Sequence, residues 1–214
     1  MHDDPGLFEC MYSMRAMRRL KPDPVPEAMV ERILEAATRA PSGQNTQPWA
    51  FLVVTEEAGR RFFGEKYRYW MRKSSGGREP APDDRSQRAR EIRAARHLGD
   101  HMPEVPLLIL ACGKRDWPFA VPEDRRVGHA PPSYGSVYPA VQNLLLACRG
   151  LGLGASLTTL HQMFESELHD YFGIPDDYGV VASIPIGFPK GNFGPVRRHP
   201  VASKTHYERW ASAQ

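Results

Sequence analysis

The chain has 214 residues, 41% hydrophobic and 25% charged, with a formal net charge of +3, which fits a soluble globular protein of one domain with one sizeable core. No apolar run approaches the roughly 20 residues a membrane helix needs, and Met1-His2-Asp3-Asp4-Pro5 is acidic where a secretory leader is basic, so export is not expected. Cys10, Cys112 and Cys148 are far apart, odd in number and without Cys-x-x-Cys spacing; this excludes a disulfide framework and a zinc knuckle and fits a cytoplasmic location.

In chain order, Leu7, Phe8, Met11 and Met14 predict a short helix anchored by those four side chains. It leads into a cationic stretch, Met14-Arg15-Ala16-Met17-Arg18-Arg19, followed by Lys21-Pro22-Asp23-Pro24. Pro26 opens a second helix in which Val30, Ile33, Leu34 and Ala37 share one face, and Pro41 ends it. In the following run, Ala40-Pro41-Ser42-Gly43-Gln44-Asn45-Thr46-Gln47-Pro48-Trp49, the prolines forbid a helix and Ser42 and Gly43 favour turns. Asn45 and Gln47 each offer donors and acceptors, so this rigid loop suits a planar heterocycle with carbonyl and ring-nitrogen edges. As a plain helix-end turn, the same amides would only satisfy backbone groups.

Residues 51–54 predict a buried strand. From Arg60 to Asp100 the chain carries twelve Lys or Arg against six Asp or Glu. That stretch reads as a helix, a loop containing Ser74-Ser75-Gly76-Gly77 and Pro80-Ala81-Pro82, and a charged helix over 85–96. It is an insertion of about 65–102 that covers a site, or equally a solvated charged face. Residues 107–112, between Pro106 and Gly113, predict a central strand. A strong helix over 136–149 aligns Val137, Val141, Leu144, Leu145 and Cys148, with Gly150 as its stop. A strand at 153–157, a short helix at 164–172 and a strand at 180–186 follow, so helices and strands interleave around a sheet.

Three weaker patterns carry no function. Gly150-Leu151-Gly152-Leu153-Gly154 follows a helix instead of a strand and has Leu157 where a dinucleotide fingerprint needs glycine. His97 and His101 have zinc-protease spacing, but Leu98 stands where its glutamate belongs and Gly99 weakens the helix; no metal site is expected. Ser42, Ser136, Ser156 and Ser183 lack a nucleophile elbow, so no catalytic acid, base or nucleophile is assigned. What remains is anion binding: Arg15, Arg18 and Arg19 near one end and Arg197 and Arg198 near the other could converge on one phosphate.

Arg-x-x-Arg-Arg-Leu-Lys-Pro-Asp-Pro-Val-Pro at 15–26, the loop at 40–49, Pro-Ala-Val-Gln-Asn-Leu-Leu-Leu-Ala at 139–147 and the closing Arg197-Arg198-His199-Pro200 together resemble the FMN-dependent nitroreductase family. The resemblance implies an α/β (α+β) fold with a central mixed, mainly antiparallel sheet flanked by helices in a three-layer sandwich. It implies that Arg15, Ala16 and Arg18 hold the flavin phosphate and ribityl chain, with Met14 and Ala16 replacing the family's Arg and Ser. Pro41, Ser42, Gly43, Asn45 and Gln47 would come from the partner subunit of a homodimer. Leu157, Thr158, Thr159 and Leu160 would run along the flavin ring, with Thr158 or Thr159 as donor to N5, and Arg198, with Arg197 beside it, would bind phosphate. It further implies hydride transfer from NAD(P)H, a small organic acceptor such as a nitroaromatic or quinone, and ping-pong kinetics. Three alternatives stay open on the sequence: a flavin storage or sensor protein with little turnover, a flavin-dependent reductive dehalogenase, and a nucleic-acid module built on 60–96. Terminal segments exchanged between subunits, including Tyr207 and Trp210, also fit the sequence.

Overall fold

The computed structural model describes residues 5–74, 79–115 and 134–210; the glycine-rich part of the predicted loop at 74–77 lies largely outside them. Four strands, β1 (Trp49–Val54), β2 (Leu107–Lys114), β3 (Gly154–Ala155) and β4 (Tyr178–Gly187), form a sheet of order β1-β2-β4-β3. Every pairing among these strands is antiparallel. Six α-helices accompany it among the described residues: α1 (Leu7–Ser13), α2 (Glu27–Thr38), α3 (Glu57–Ser74), α4 (Gln87–Asp100), α5 (Val137–Gly150) and α6 (Glu165–Phe172).

The alternation of β2 divides the core. Leu107, Ile109 and Ala111 pack with α2 and α5, through Ile33, Ala37, Val141, Leu144 and Cys148. Leu108, Leu110 and Cys112 face the other way and pack with Phe63 and Tyr67 of α3, Leu98 of α4 and Phe164. A central strand buried on both faces reads as one apolar run, as 107–112 does. Burial also fixes the thiols: all three cysteines are free and buried, and desolvation raises Cys112 to about 11 and Cys148 to about 12.

The structure corrects several details of the expected elements. In α1, Leu7, Phe8 and Met11 do not anchor the helix; they are 61%, 66% and 42% exposed. Cys10 and Ser13 are its buried residues, and Arg149 of α5 holds it by donating to Ser13 Oγ at 2.8 Å and pairing with Glu9 at 3.1 Å. Gly150 is the last residue of α5; the left-handed residue that turns the chain is Gly152, with φ of 73°. The strand expected at 153–157 is reduced to Gly154–Ala155, although Thr158 still bridges Ser183. Ser156 N–H donates to the Pro185 carbonyl, but proline has no N–H to return, so the ladder is interrupted there. Gly99 does not weaken α4 at an exposed position: it is buried, and a Cβ there would lie 3.0 Å from the Tyr67 ring. Its missing side chain lets α4 close on α3.

Gly154 is a second close approach. A Cβ there would meet Leu20 Cδ2 and Met17 Cβ, each at 2.9 Å, so glycine lets the segment between α1 and α2 lie directly on β3. Gly154→Val should therefore destabilise the protein by about 1–3 kcal/mol, read as a lower urea midpoint with unchanged slope. Two histidines set a pH dependence. Burial holds His161 below its usual value, against Val180 and Glu165, and burial followed by repulsion from His101, Arg19 and Lys190 does the same for His97. Below about pH 6.5 the unfolded chain takes up protons that the folded chain refuses, so this stability is present above that pH and is lost as pH falls. Thermal melts should drop between pH 7.5 and 5.5, and His161→Gln should reduce the drop.

Candidate functional site

The cationic stretch after α1 is laid on the edge of the sheet by backbone bonds. Met17 N–H donates to Ala155 O at 2.9 Å, Lys21 N–H to Phe188 O at 2.7 Å and Lys190 N–H to Arg19 O at 2.9 Å. Met17 and Leu20 turn inward and are buried, while Ala16 and Arg19 turn outward and Arg18 is half-buried. The result is a cavity of about 330 Å³ lined by Arg15, Ala16, Met17, Arg18, Arg19, Ala94 and Gly191. Three guanidinium groups and no carboxylate line it. Arg15 donates to the Asn192 carbonyl at 2.8 Å; Arg18 makes no hydrogen bond or ion pair among the described residues. A half-buried cation without an acidic partner, beside two more, fits a doubly charged phosphate and a ribityl chain bearing hydroxyls. Ala94 brings α4, from the charged insertion, into the wall of this cavity.

The loop predicted to border a flavin ring continues from the same edge. Thr158 exchanges both backbone hydrogen bonds with Ser183, each at 3.0 Å, and its Oγ1 accepts from Leu160 N–H at 3.3 Å. The Thr158 N–H is thereby committed to β4. Tyr67 belongs to α3. Burial raises its phenol above the usual value, and polar contact with the Thr158 side chain and the charge of Arg18 oppose that rise. Tyr67 thus has both Thr158 and Arg18 among its surroundings. Tyr67 was visible in the sequence only as an aromatic of the insertion.

The loop between α2 and β1 is braced within itself. Ser42 Oγ accepts from Gln47 N–H at 3.0 Å, Gln47 Nε2 donates to Asn45 Oδ1 at 3.3 Å, and Gly43 N–H reaches Ser136 Oγ at 3.4 Å. Gln44, Asn45 and Gln47 all have positive φ, of 48°, 56° and 49°, a conformation non-glycine residues rarely hold in series. Pro41, Asn45 and Gln47 are exposed, and the two amides bond each other instead of capping α2.

Within one chain, this loop and the arginine cavity stand apart. Trp49, next to the loop, pairs with Gly113, which pairs with Gly179; Ala155, under Met17, pairs with Ile186. Gly179 and Ile186 are seven residues apart on β4, about 23 Å at ~3.3 Å per residue. Arg197 and Arg198 are also outside the cavity lining: both are exposed, and Arg198 donates to the Arg197 carbonyl at 2.8 Å. His97 and His101 stack at 3.9 Å, with His101 Nδ1 2.8 Å from the His97 carbonyl.

Comparison with known proteins identifies the family of the chain. The chain is 31% identical over 205 residues to the nitrobenzene nitroreductase of Ectopseudomonas oleovorans, covering 88% of each. It superposes on iodotyrosine deiodinase bound to FMN and 3-iodo-L-tyrosine with a TM-score of 0.71 and 25% identity, covering 96% of this chain and all of the other. A BluB-like flavoprotein from Clostridium difficile 630 shares the fold with a TM-score of 0.72 at 20% identity, with coverage of 96% and 100%. The model of the nitroreductase family matches residues 12–188, and the chain belongs to that family.

Proposed function

We propose that this protein is an FMN-dependent oxidoreductase that uses NAD(P)H to reduce a small organic acceptor, a nitroaromatic or a quinone, and that it works as a homodimer. The observation that carries this reading is the cavity of three arginines without a carboxylate, on the same sheet edge from which the loop at Thr158 and Thr159 continues. A bound FMN would supply the redox chemistry, hydride acceptance from NAD(P)H and electron delivery to the acceptor, and ping-pong kinetics are the expected consequence.

The protein's own share is binding, orientation and electrostatics. Arg15 and Arg18 hold the phosphate, with Arg19 as a third cation at the rim. The Thr159 N–H, which the sheet does not use, would be the donor offered to the edge of a bound flavin. Ala94 of α4 closes one side of the arginine cavity. No residue of the chain has to serve as nucleophile, which accords with the raised thiols of Cys112 and Cys148.

A second copy completes the site. The loop carrying Ser42, Asn45 and Gln47 lies too far along β4 to meet the arginine cavity of its own chain, yet its amides are exposed and its backbone is held in a strained form. Such strain persists where the surroundings over-determine it, and it clusters at ligand sites. The exposed Leu7, Phe8, Met11 and Tyr12 of α1, with Tyr207 and Trp210 at 84% and 86% exposure, supply apolar surface for the contact. A halogenated aromatic is a second acceptor class, favoured by the likeness to iodotyrosine deiodinase.

Purified protein should take up FMN with a visible flavin spectrum and oxidise NADH or NADPH when a nitroarene, quinone or iodophenol is added; no uptake of FMN would end this reading. Arg18→Ala should weaken FMN binding about 10- to 150-fold, the loss of one charge-assisted contact, in an equilibrium titration. Coexpressing an Arg18→Ala chain with an Asn45→Ala/Gln47→Ala chain gives mixed dimers in which one site is whole and the other lacks both contributions. Mixed dimers isolated by two different affinity tags should then bind FMN at about half the wild-type stoichiometry; recovery no better than in either variant alone would place both contributions in one chain.

A further inference from the structure

The Thr158 to His161 loop is fastened to β4 at two levels, and the second fastening is a side chain. At the first, Thr158 exchanges backbone bonds with Ser183 at 3.0 Å. At the second, the His161 ring reaches back across the 3₁₀ turn Leu160–Met163 and places Nε2 2.7 Å from the Val180 carbonyl. Positions 158 and 161 are thus fixed to 183 and 180, three residues apart on both sides, and Thr159 and Leu160 lie between. His161 is completely buried.

We propose that His161 is a positioning residue for the flavin, which holds the Thr159 N–H in place by tying the far end of the loop to β4; this rests on the FMN reading above. A carbonyl accepts only from a protonated nitrogen, so Nε2 carries the proton and Nδ1 is the unprotonated atom. The Thr158 carbonyl also lies against the ring and, with that of Val180, opposes the effect of burial, while the buried hydroxyls of Ser156 and Ser183 on the same seam find no partner among the described residues. The ring therefore contributes a directed bond to Val180. Glu165, the nearest acid, is engaged elsewhere: its Oε1 accepts from Val180 N–H at 3.0 Å and from Arg115 at 2.7 Å. Val180 is consequently gripped from both of its backbone groups, N–H by Glu165 and C=O by His161, so the anchor is itself immobile. A donor loop needs this rigidity, since a group displaced by a fraction of an ångström loses much of its electrostatic effect.

The test compares wild type, His161→Phe and His161→Gln as full-length protein, with and without FMN. Phe keeps the bulk and loses the bond; Gln can place an amide N–H where Nε2 stands. In His161→Phe, amide hydrogen exchange at Thr159 and Leu160 should quicken at least tenfold while Ile109 and Leu144 are unchanged. During stepwise reduction of the FMN-loaded protein, the fraction reduced by one electron, read in the visible spectrum, should change at least twofold. Gln should restore both. Unchanged exchange, or faster exchange with an unchanged reduction pattern, overturns the positioning role while leaving the FMN reading intact. Wild-type protein that takes up no FMN removes both. Should the Phe variant not fold, the ring ¹⁵N shifts of wild-type His161 decide: Nε2-protonated signals at pH 7 are expected, and an Nδ1-protonated ring overturns the assignment.

Discussion

The bond from Met17 N–H to the Ala155 carbonyl, at 2.9 Å, joins the segment that carries the arginines to the edge of the sheet. It forms only because Gly154 has no side chain to keep Met17 and Leu20 away. Once it forms, the side chains of residues 15–20 sort themselves: Met17 and Leu20 fall into the core, and Arg15, Arg18 and Arg19 are left around a common space. Three like charges would repel one another in a folded chain left to itself. They are held together here by backbone bonds and apolar burial, and the repulsion is relieved when an anion arrives. The site is thus arranged by the sheet edge and not by attraction among its own residues.

The same edge supplies the loop at 157–160. β4 is long, and its partner on that side pairs regularly for only two residues before Pro185 interrupts the ladder. Past the interruption the chain keeps near β4 through Thr158 and His161 but no longer follows it as a strand. That departure leaves Thr159 with a backbone group not claimed by a neighbouring strand. A fully paired edge would have spent each N–H on the sheet.

Elements whose pattern is decided by burial on both sides were legible in the sequence: β2 as an unbroken apolar run, and α5 as a helix with one apolar face. The motif at 15–26 and the loop at 40–49 stood out by residue type, arginine clusters and amides between prolines, and the structure shows the former lining a common cavity and the latter exposed. Features that depend on a distant neighbour were not. Leu7, Phe8 and Met11 have helical spacing, but nothing local says which face of α1 meets α5; Arg149, 140 positions from Glu9, decides it. Gly99 reads as a helix breaker until Tyr67 is seen to occupy its missing side chain. Gly150 and Gly152 are equivalent in composition, and only the backbone angle separates them. His161 gave no signal, since a lone histidine after two threonines matches no motif.

Burial of the cysteines has a bearing on durability. Reduced nitroarenes and quinones are electrophiles that alkylate thiolates. Cys10, Cys112 and Cys148 are all inside the fold, and with Cys112 and Cys148 raised to about 11 and 12, the ionised form of those two is scarce at neutral pH. Those two thiols are therefore held in the form that reacts slowly with electrophiles reaching the fold.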